Sequence, residues 1–203
     1  MSEQSRELPL SSNPILAFEV WLKEAIDQKC AEPTAMTLAT ATKQGIPSAR
    51  IVLFKGLKAE GFKFFTNFQS PKAHDLLDNP LAALVFLWIS PKFQRQIRIS
   101  GHVEKLGDAD SDEYFNTRAR GSQIGAWASP QSQKVASRST LEKMIQEVET
   151  RFQNQPVTRP PFWGGFLLNP ESIEFWEGRD FRIHERFVFE KNQARWVKDR
   201  LAP

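Results

Sequence analysis

The sequence predicts a mainly β protein with α-helices (α+β), in which an antiparallel, barrel-like sheet carries helices packed outside. Three observations favour this class. Short runs of strand character follow one another with brief turns between them. Helical periodicity is confined to one early segment, a short piece after residue 70 and a block in the middle. No repeat or linker divides the chain, so we expect one domain over 1–203, flexible at 1–11.

The helices are predicted from their start signals and apolar spacing. Ser12-Asn13-Pro14 places a capping residue before proline at the first helical position, and apolar residues then recur at helical spacing. Ser70-Pro71-Lys72 has the same signal and precedes a short helix over Ala73–Leu77. The middle block predicts helices over Asp110–Arg118, Ser122–Ala128 and Ser137–Phe152, the last amphipathic with Leu141, Met144, Ile145, Val148 and Phe152 on one face.

The strands are predicted between turn residues over most of the remaining chain. They cover Ala35–Thr42, Ala49–Lys58, Phe62–Phe68, Leu81–Ile89, Gln94–Leu106, Phe166–Trp176, Phe181–Lys191 and Arg195–Arg200. The run Leu81–Ile89 is continuously apolar, which predicts a central strand buried on both faces. In the next strand Gln96 and Arg98 share one face, and Ile97 and Ile99 the other. The last two strands would pair as a hairpin through Asn192-Gln193.

Composition narrows the function classes. Of the 203 residues 40% are hydrophobic and 11% aromatic, so the bulk of the chain can bury a core. The net charge of +3 fits small anionic ligands at least as well as nucleic acid. The single cysteine, Cys30, excludes an intramolecular disulfide and favours a reducing compartment. With no signal-peptide pattern and no apolar run near the roughly 20 residues of a membrane helix, we expect a cytoplasmic protein that binds no membrane.

Several familiar reactive motifs are missing from the sequence. It contains no Walker-type phosphate loop, no Gly-x-Gly-x-x-Gly after a strand and no Gly-x-Ser-x-Gly elbow. The three histidines are scattered and give no zinc spacing with the one cysteine, so no metal site is expected. An enzyme of this composition would take its reactive group from a cofactor.

Two stretches have the side chains of anion sites. Arg50-Ile-Val-Leu-Phe-Lys55 carries a cation at each end. Because Arg50 and Lys55 are separated by an odd number of residues, a regular strand points them to opposite faces. They would then bind two different anions, unless a bulge intervenes. The ordinary alternative is that both charges emerge into water at the strand ends. Phe65-Thr-Asn-Phe-Gln-Ser-Pro-Lys72 joins a strand to a helix start, which suits a phosphate, although an ordinary capped helix has the same pattern.

The helical middle offers a second set of candidate anion ligands. Tyr114 and Arg118 are four residues apart and would share a helix face, with Ser122 one turn further. Together they could clamp a phosphate, or form no more than a surface pair. Gln131-Ser132, after a short apolar helix, adds an amide and a hydroxyl without specificity of its own.

The least ordinary pattern lies near the end of the chain. Arg182, His184 and Arg186 alternate beside Trp176, and in a regular strand they would share one face. Three cationic or potentially cationic groups so placed repel one another unless an anion or an electron-rich ring lies across them.

Taken in order, these pieces resemble the pyridoxine (pyridoxamine) 5'-phosphate oxidase family, from about Leu8 to the last residue. The matching motifs are Arg50-Ile-Val-Leu-Phe-Lys55, Phe64-Phe-Thr-Asn67 with Ser70-x-Lys-Ala73, Arg95-Gln96, Tyr114-Phe-x-x-Arg-x-x-x-Ser-Gln-Ile-Gly-Ala-Trp127, Gln131-Ser132, Phe162-Trp-Gly-Gly-Phe166, Phe175-Trp with Arg182-x-His-x-Arg-Phe187, and Asp199-Arg-Leu-Ala-Pro203. The resemblance implies an FMN-binding split β-barrel and a homodimer with FMN at the subunit interface. It also implies a reaction of vitamin B6 metabolism: oxidation of pyridoxine or pyridoxamine 5'-phosphate to pyridoxal 5'-phosphate by O2, with release of H2O2.

The resemblance also implies roles for individual residues. Arg50 and Lys72 would hold the FMN phosphate. Further FMN contacts would come from Ile51, Lys55, Phe65, Thr66, Ser70, Gln96, Trp176 and Arg186, and from Gln131 and Ser132 of the partner subunit. The substrate phosphate would meet Lys55, Tyr114, Arg118 and Ser122. Arg182 and His184 would lie over the substrate ring as the catalytic pair. Pro71 stands where the family commonly has a basic residue, and Phe65 where it often has tyrosine.

Other functions remain open at this point. Another flavin-dependent oxidase on the same scaffold, of the phenazine-pathway type, should lack the substrate-phosphate set. A non-enzymatic protein that binds FMN, haem or pyridoxal phosphate would not need Arg182 and His184. A nucleic-acid-binding module fits least, because the basic residues are interspersed with core-like ones rather than gathered on one exposed face.

Overall fold

The computed structural model describes residues 8, 10–193 and 195–203. Within this part of the chain nine strands form one sheet, accompanied by five α-helices. The helices are α1 Pro14–Asp27, α2 Pro71–Asp78, α3 Asp108–Thr117, α4 Arg120–Ala128 and α5 Arg138–Arg151. The strands are β1 Ala35–Ala41, β2 Pro47–Leu53, β3 Leu57–Lys58, β4 Gly61–Asn67, β5 Leu81–Ile89, β6 Gln94–Lys105, β7 Trp163–Glu177, β8 Glu185–Asn192 and β9 Arg195–Arg200. All pairs are antiparallel, so the predicted fold class is confirmed.

The sheet forks along its longest strand, β7. The main path runs β2-β1-β5-β6-β7-β4-β3. One edge of β7 pairs with β6, from Phe166 to Glu177. The other edge is shared: Trp163–Leu168 pairs with β4, and Ser172–Glu177 pairs with β8, which continues into β9. The register shift between Ser100 and Gly101 lies opposite this fork, where a bulge lets the two halves of β7 diverge. This forked sheet is the split barrel.

Helix α1 closes the main core with one fully buried aromatic residue. Its N-cap Asn13 accepts the backbone N–H of Ile15 at 2.8 Å, as the start signal predicts. The ring of Phe18 meets Phe54, Phe62 and Phe86 edge-on, with centroids 4.9–5.3 Å apart. Such aromatic pairs stabilise a core beyond the area that they bury.

A second, smaller core lies under α3, α4 and α5, and it is formed by Phe115, Ile124, Phe152, Val157 and Trp163. Helix α5 contributes less than its pattern predicts. Within the helix no side chain is fully buried, and Ile145 is 40% exposed; only Phe152, which follows the last turn, is buried. Its apolar face is therefore only partly covered in the single chain: Leu141, Met144 and Val148 are half-buried.

The predicted strand Ala49–Lys58 is wrong at its centre, where the chain breaks into β2 and β3. Gly56 has φ +95°, a left-handed conformation that glycine adopts at little cost. The backbone on either side is held by β4: Lys55 N–H donates to Lys63 C=O at 2.9 Å, and Lys63 N–H donates to Gly56 C=O at 3.0 Å. Lys55 therefore lies in the break between β2 and β3. The alternation of side chains along a regular strand does not determine where the Lys55 side chain points.

The expectation that Leu81–Ile89 is buried on both faces is also wrong. In β5 burial alternates: Leu84 and Phe86 are buried, whereas Leu87 is 53% and Ile89 61% exposed. The outer face of the neighbouring strand pair carries Ile51, which is 65% exposed. A contiguous apolar surface of this kind marks a protein contact more often than a solvated face.

The prediction of a strand from Phe181 is wrong over its first four residues. Asp180–Arg182 forms a 3-10 turn, and β8 begins only at Glu185. Phe181 and Arg182 both have positive φ, +56° and +62°. Arg182, His184 and Arg186 therefore do not follow one regular strand face. Among the residues described, no helix is long and apolar enough to cross a membrane.

Candidate active site

A cavity of about 290 Å³ opens between β2, β4, α3 and the start of β7. It is lined by Ile51, Val52, Leu53, Lys55, Phe65, Thr66, Lys72, Tyr114, Arg118, Gln131 and Trp163. Three of these residues are cationic and none of these described lining residues is acidic. The cavity thus brings together some of the predicted FMN and substrate residues around a site suited to anions: Ile51, Lys55, Phe65, Thr66, Lys72, Tyr114, Arg118 and Gln131.

Lys72 is the most constrained cation of this cavity. It is 9% exposed, and its Nζ donates to Thr66 Oγ1 at 3.0 Å, Ser70 Oγ at 3.0 Å and Gln131 Oε1 at 3.1 Å. All three acceptors are neutral. Burial, and after it the charge of Arg50, lowers the pKa of Lys72 to about 8. A buried ammonium without a counter-ion favours the binding of an anion.

Arg50 lies behind the cavity rather than on its wall. Its Nη1 donates to Thr40 Oγ1 at 2.7 Å, and its Nη2 is 3.9 Å from the Asp75 carboxylate. Burial lowers the pKa of Arg50, opposed by Asp75. The guanidinium therefore adds positive potential behind Lys72 while its own donors are partly occupied.

The start of α2 differs from the predicted phosphate-binding cap. The side chain of the N-cap Ser70 makes no capping hydrogen bond to the helix; its hydroxyl donates to Asn67 C=O at 2.7 Å and accepts from Lys72. The structure thus places Ser70 as a support for the Lys72 ammonium, behind the cavity wall.

Arg118 forms the opposite wall of the cavity. It is the C-cap of α3, with ψ 144°, so the prediction that it shares a helix face with Tyr114 is wrong in detail, although both line the cavity. Its guanidinium carbon lies 4.7 Å from the centre of the Trp163 ring, and its buried Nη1 has no hydrogen-bond partner among the residues that the structure describes. Burial lowers the pKa of Arg118, opposed by Tyr114. An unpaired buried N–H on a cation is a donor available to a ligand.

Three nearly parallel aromatic rings support this wall. Phe65 stacks on Tyr114 with centroids 4.0 Å apart and on Trp163 at 5.5 Å. Lys55 Nζ lies 5.8 Å from the Tyr114 ring centre. Sequence reasoning gave no role to Trp163, although it stands in the quoted Phe162-Trp-Gly-Gly-Phe motif; its neighbouring glycines were the available signal.

A second cavity of about 230 Å³ shares Arg118, Gln131 and Trp163 with the first. Ser122 lines this second cavity and not the first. Gln131 contacts Lys72 and Thr66 of its own chain. Ser132 is exposed with φ +66°, so its side chain is presented to the surface beside them.

The remaining predicted residues gather elsewhere, around Trp176. In the sheet register Trp176 stands between Gln96 of β6 and Arg186 of β8. The His184 ring lies 4.7 Å from the Trp176 ring. Arg182 is exposed in the turn that precedes His184.

The predicted repulsion among three cations is relieved by a carboxylate that sequence reasoning missed. Arg186 Nε and Nη2 lie 2.9 and 2.8 Å from Glu174 Oε1, and its Nη1 donates to Ala202 C=O at 3.0 Å. Arg98 binds the other oxygen of Glu174. Glu174 is buried and points to the same side of β7 as Trp176, two residues on, a spacing that could have identified it.

The two groups of candidate residues lie toward opposite ends of β7. Trp163 borders the first group and Trp176 the second, 13 residues apart (176 − 163). At a rise of about 3.3 Å per residue this is roughly 40 Å of strand. Measured along the strand, the two groups are therefore further apart than the length of a small ligand. The described residues contain no group of three or more His, Cys, Asp or Glu side chains placed to share a metal ion.

Residues 22–152 match the family model described as pyridoxamine 5'-phosphate oxidase, and residues 163–203 match the pyridoxine 5'-phosphate oxidase C-terminal dimerisation region. A protein of Acaryochloris marina named pyridoxine/pyridoxamine 5'-phosphate oxidase is 46% identical over 197 residues, covering 97% of this chain and 89% of that protein. A protein of the same name from Burkholderia mallei is 49% identical, covering 96% and 91%.

Solved structures add a second kind of relative. PhzG from Burkholderia lata, crystallised with tetrahydrophenazine-1-carboxylic acid, superposes with a TM-score of 0.91 at 28% identity over 100% of both chains. A pyridoxamine 5'-phosphate oxidase-related, FMN-binding protein from Nostoc punctiforme superposes with a TM-score of 0.72 at 18% identity, over 96% of this chain and 100% of that one. The latter shows a shared fold alone.

Proposed function

Because this chain belongs to the pyridoxamine 5'-phosphate oxidase family, an FMN-type oxidase family, we propose that it oxidises pyridoxine 5'-phosphate and pyridoxamine 5'-phosphate to pyridoxal 5'-phosphate. FMN would be its cofactor, O2 the oxidant and H2O2 the product. The observation that carries the proposal is the cavity with three cations, no acidic wall residue and one unpaired guanidinium N–H. The single cysteine of the chain is in keeping with a cytoplasmic location.

The FMN phosphate fits the Lys72 side of the cavity. Lys72 has only neutral partners, and Arg50 adds a second positive charge behind it. A phosphate there would replace weak partners with a charge-assisted hydrogen bond. Pro71 next to it carries no charge, so Lys72 bears more of this contact than it would with a basic neighbour.

The substrate phosphate fits the opposite wall, between Lys55 and Arg118. The break at Gly56 turns Lys55 toward Tyr114, and the unpaired Nη1 of Arg118 offers a donor. Ser122 would reach the same phosphate only from the adjoining cavity, past Arg118. Two separate phosphate groups would account for cations on two walls of one site.

A homodimer would complete the site. The Trp176 group lies at the far end of β7 from the cavity of its own chain, and a two-fold partner would bring its own Trp176 group to that cavity. The exposed apolar residues Ile51 and Leu53 line the cavity and continue onto the outer face of β5. Burial of this face between subunits would place FMN at the interface and enclose it.

The chain's own residues would then act mainly by placement and charge. FMN, when bound, would accept a hydride from the substrate carbon that bears the alcohol or amine. Arg182 and His184 would hold the substrate ring and favour negative charge that develops on its oxygen. The cavity cations would fix the phosphate, so the reacting carbon has one position.

The structural likeness to PhzG supports one alternative, an oxidase acting on a phenazine precursor. The two functions differ in which group of the substrate would bind to the cavity wall at Arg118. A phosphate monoester carries more charge and more acceptor oxygens than the carboxylate of an aromatic acid, so Lys55 and Arg118 together favour the phosphorylated substrate.

The test is spectroscopic and then catalytic. The purified protein, alone or after addition of FMN, should show a bound-flavin absorption spectrum. Addition of pyridoxine 5'-phosphate in air should release peroxide and form an aldehyde, whereas unphosphorylated pyridoxine and tetrahydrophenazine-1-carboxylic acid should react far more slowly. A protein that cannot be reconstituted with FMN, or that prefers the phenazine compound, would refute the proposal.

A further inference from the structure

A buried carboxylate at the end of β7 anchors the segment that carries His184. Glu177 is 5% exposed, and its two oxygens bind different arginines: Arg95 Nε at 2.7 Å and Arg179 Nη2 at 2.7 Å. Arg95 is itself fixed between the Trp21 and Phe93 rings, at 4.4 and 4.2 Å from their centres. Glu177 therefore ties Arg179 to the rigid barrel.

The residues after Glu177 are held at successive points. Gly178 N–H donates to Gln94 C=O at 2.8 Å, and the Arg179 side chain returns to Glu177. The backbone N–H of Arg179 is thus fixed in position and direction. It donates to His184 Nδ1 at 3.1 Å, across the turn.

The turn itself stores strain. Phe181 and Arg182 both occupy the left-handed region, which is strained for residues other than glycine. A backbone bond closes the turn from within, from Ile183 N–H to Asp180 C=O at 3.1 Å. Strained conformations persist where their surroundings hold them, and here the Arg179–His184 bond spans the turn.

The hydrogen bond at Nδ1 determines where the imidazole proton lies. A neutral imidazole that accepts at Nδ1 carries its hydrogen on Nε2. The Trp176 ring, 4.7 Å away, packs against one face of the imidazole and restricts its rotation. We propose that Glu177, acting through Arg179, is a positioning residue that holds His184 as the Nε2–H tautomer, so that His184 meets the substrate as a hydrogen-bond donor.

This assignment deepens the proposed function, and it rests on that function only for the identity of the substrate. An Nε2–H group can stabilise a substrate oxygen that is negative or becoming so. It cannot take a proton from the substrate, because Nδ1, the nitrogen with a free electron pair, is occupied by Arg179 N–H. His184 is therefore suited to binding and orienting the substrate, rather than to general-base catalysis.

The experiment is ¹⁵N NMR of protein labelled at histidine, with no substrate present. The chain has three histidines, so His184→Asn assigns the signal. We expect a single tautomer with the proton on Nε2. In Glu177→Gln we expect two tautomers in exchange. The matched control is Glu185→Gln, which makes the same change next to His184. The Glu185 carboxylate pairs with Arg200 rather than Arg179, so this variant should leave the His184 spectrum unchanged.

The outcomes separate this proposal from the proposed function, because the NMR measurement needs no turnover. A proton on Nδ1 in the wild type, or a Glu177→Gln spectrum identical to the wild type, would overturn it even if the enzyme oxidises pyridoxine 5'-phosphate. If Glu177→Gln does not fold, Arg179→Met replaces it, with Arg179→Lys as the variant expected to restore the single tautomer. In folded variants that show two tautomers, kcat/KM should fall roughly tenfold, the equivalent of about one hydrogen bond.

Discussion

Trp163 and Trp176 belong to the same strand, yet each borders a different half of the candidate site. The first stacks with Phe65 against the cationic cavity, and the second packs on His184. Measured along the strand, they are further apart than the length of a small ligand. The function proposed for this chain therefore depends on a dimer in which the cavity of one chain meets the Trp176 group of the other.

Shared sites predict complementation between inactive variants. Arg118→Met damages the part of the site at the cavity, and His184→Asn damages the part at the turn before β8. Each homodimer should therefore have little activity. When the two are co-expressed, each mixed dimer has one intact site of two, so the purified mixed dimer should have about half of wild-type activity. The measurement is peroxide release by the mixed dimer purified through two different tags. Activity equal to that of the parents would place both halves of each site in one chain.

Removal of the buried ammonium should affect stability and cofactor binding in opposite directions. Lys72→Met replaces a buried cation without a counter-ion by an apolar side chain of similar length, so the apo protein should unfold at higher urea concentration at pH 7. Affinity for FMN should fall roughly 10–100-fold with the loss of a charge-assisted hydrogen bond. Flavin fluorescence quenching measures the second effect.

The matched control is Lys58→Met. Lys58 is exposed and pairs with Asp110 on the surface, at 2.6 Å. This variant should change stability by less than about 1 kcal/mol and leave FMN affinity unaltered. Equal effects of the two substitutions would show that the Lys72 environment is not specific for an anion.

The pH dependence of FMN binding follows from the same group. The free protein holds the Lys72 pKa at about 8, and a bound phosphate raises it. Binding is then strongest below about pH 8, where the ammonium is already charged, and weakens as the pH rises through 8 toward the higher bound-state pKa. Titration of FMN at several pH values tests this. Lys72→Arg, which stays charged, should flatten the profile; an unchanged slope in that variant would exclude Lys72 as its origin.

The phosphate specificity is predicted to depend on Arg118. Arg118→Met should raise KM for pyridoxine 5'-phosphate roughly 10–100-fold and change the slow reaction of unphosphorylated pyridoxine little, because the lost interaction is with the phosphate. Steady-state kinetics with both compounds measures the difference. Arg138→Met is the control: its side chain is 86% exposed and pairs only with Glu142 among described residues. A parallel loss for both compounds would assign Arg118 another role.

The position of Phe65 depends on a glycine. A Cβ on Gly165 would lie 2.8 Å from Phe65 Cε1 and 2.6 Å from Leu106 Cδ1. Gly165→Ala should therefore displace the ring, destabilise the fold by about 1–3 kcal/mol and weaken substrate binding. Gly121→Ala, in α4 with nothing within 4 Å of the added carbon, should be neutral or stabilising by up to about 1 kcal/mol. Urea unfolding and KM test both variants; a Gly165→Ala protein as stable as Gly121→Ala would contradict the close contact.

The sequence alone predicted the parts whose signal is local. The capping pattern at Asn13 and the alternation at Ile97 and Ile99 were visible in short windows, and both are confirmed. The cluster of Lys55, Tyr114 and Arg118 was identified from the order of motifs, and the structure brings these side chains to one cavity.

Where a local sequence pattern competes with backbone geometry or with residues distant in the chain, only the tertiary structure decided the position of the side chain. The break at Gly56 redirected Lys55, and the strained turn at Phe181 and Arg182 removed the shared strand face that period-two spacing predicted. Glu174 and Glu177 bind Arg98 and Arg95 of the neighbouring strand β6, and a pairing across strands has no local signal in the sequence. Spacing fixes which residues can be neighbours along one element, whereas the fork in β7 fixes which elements meet.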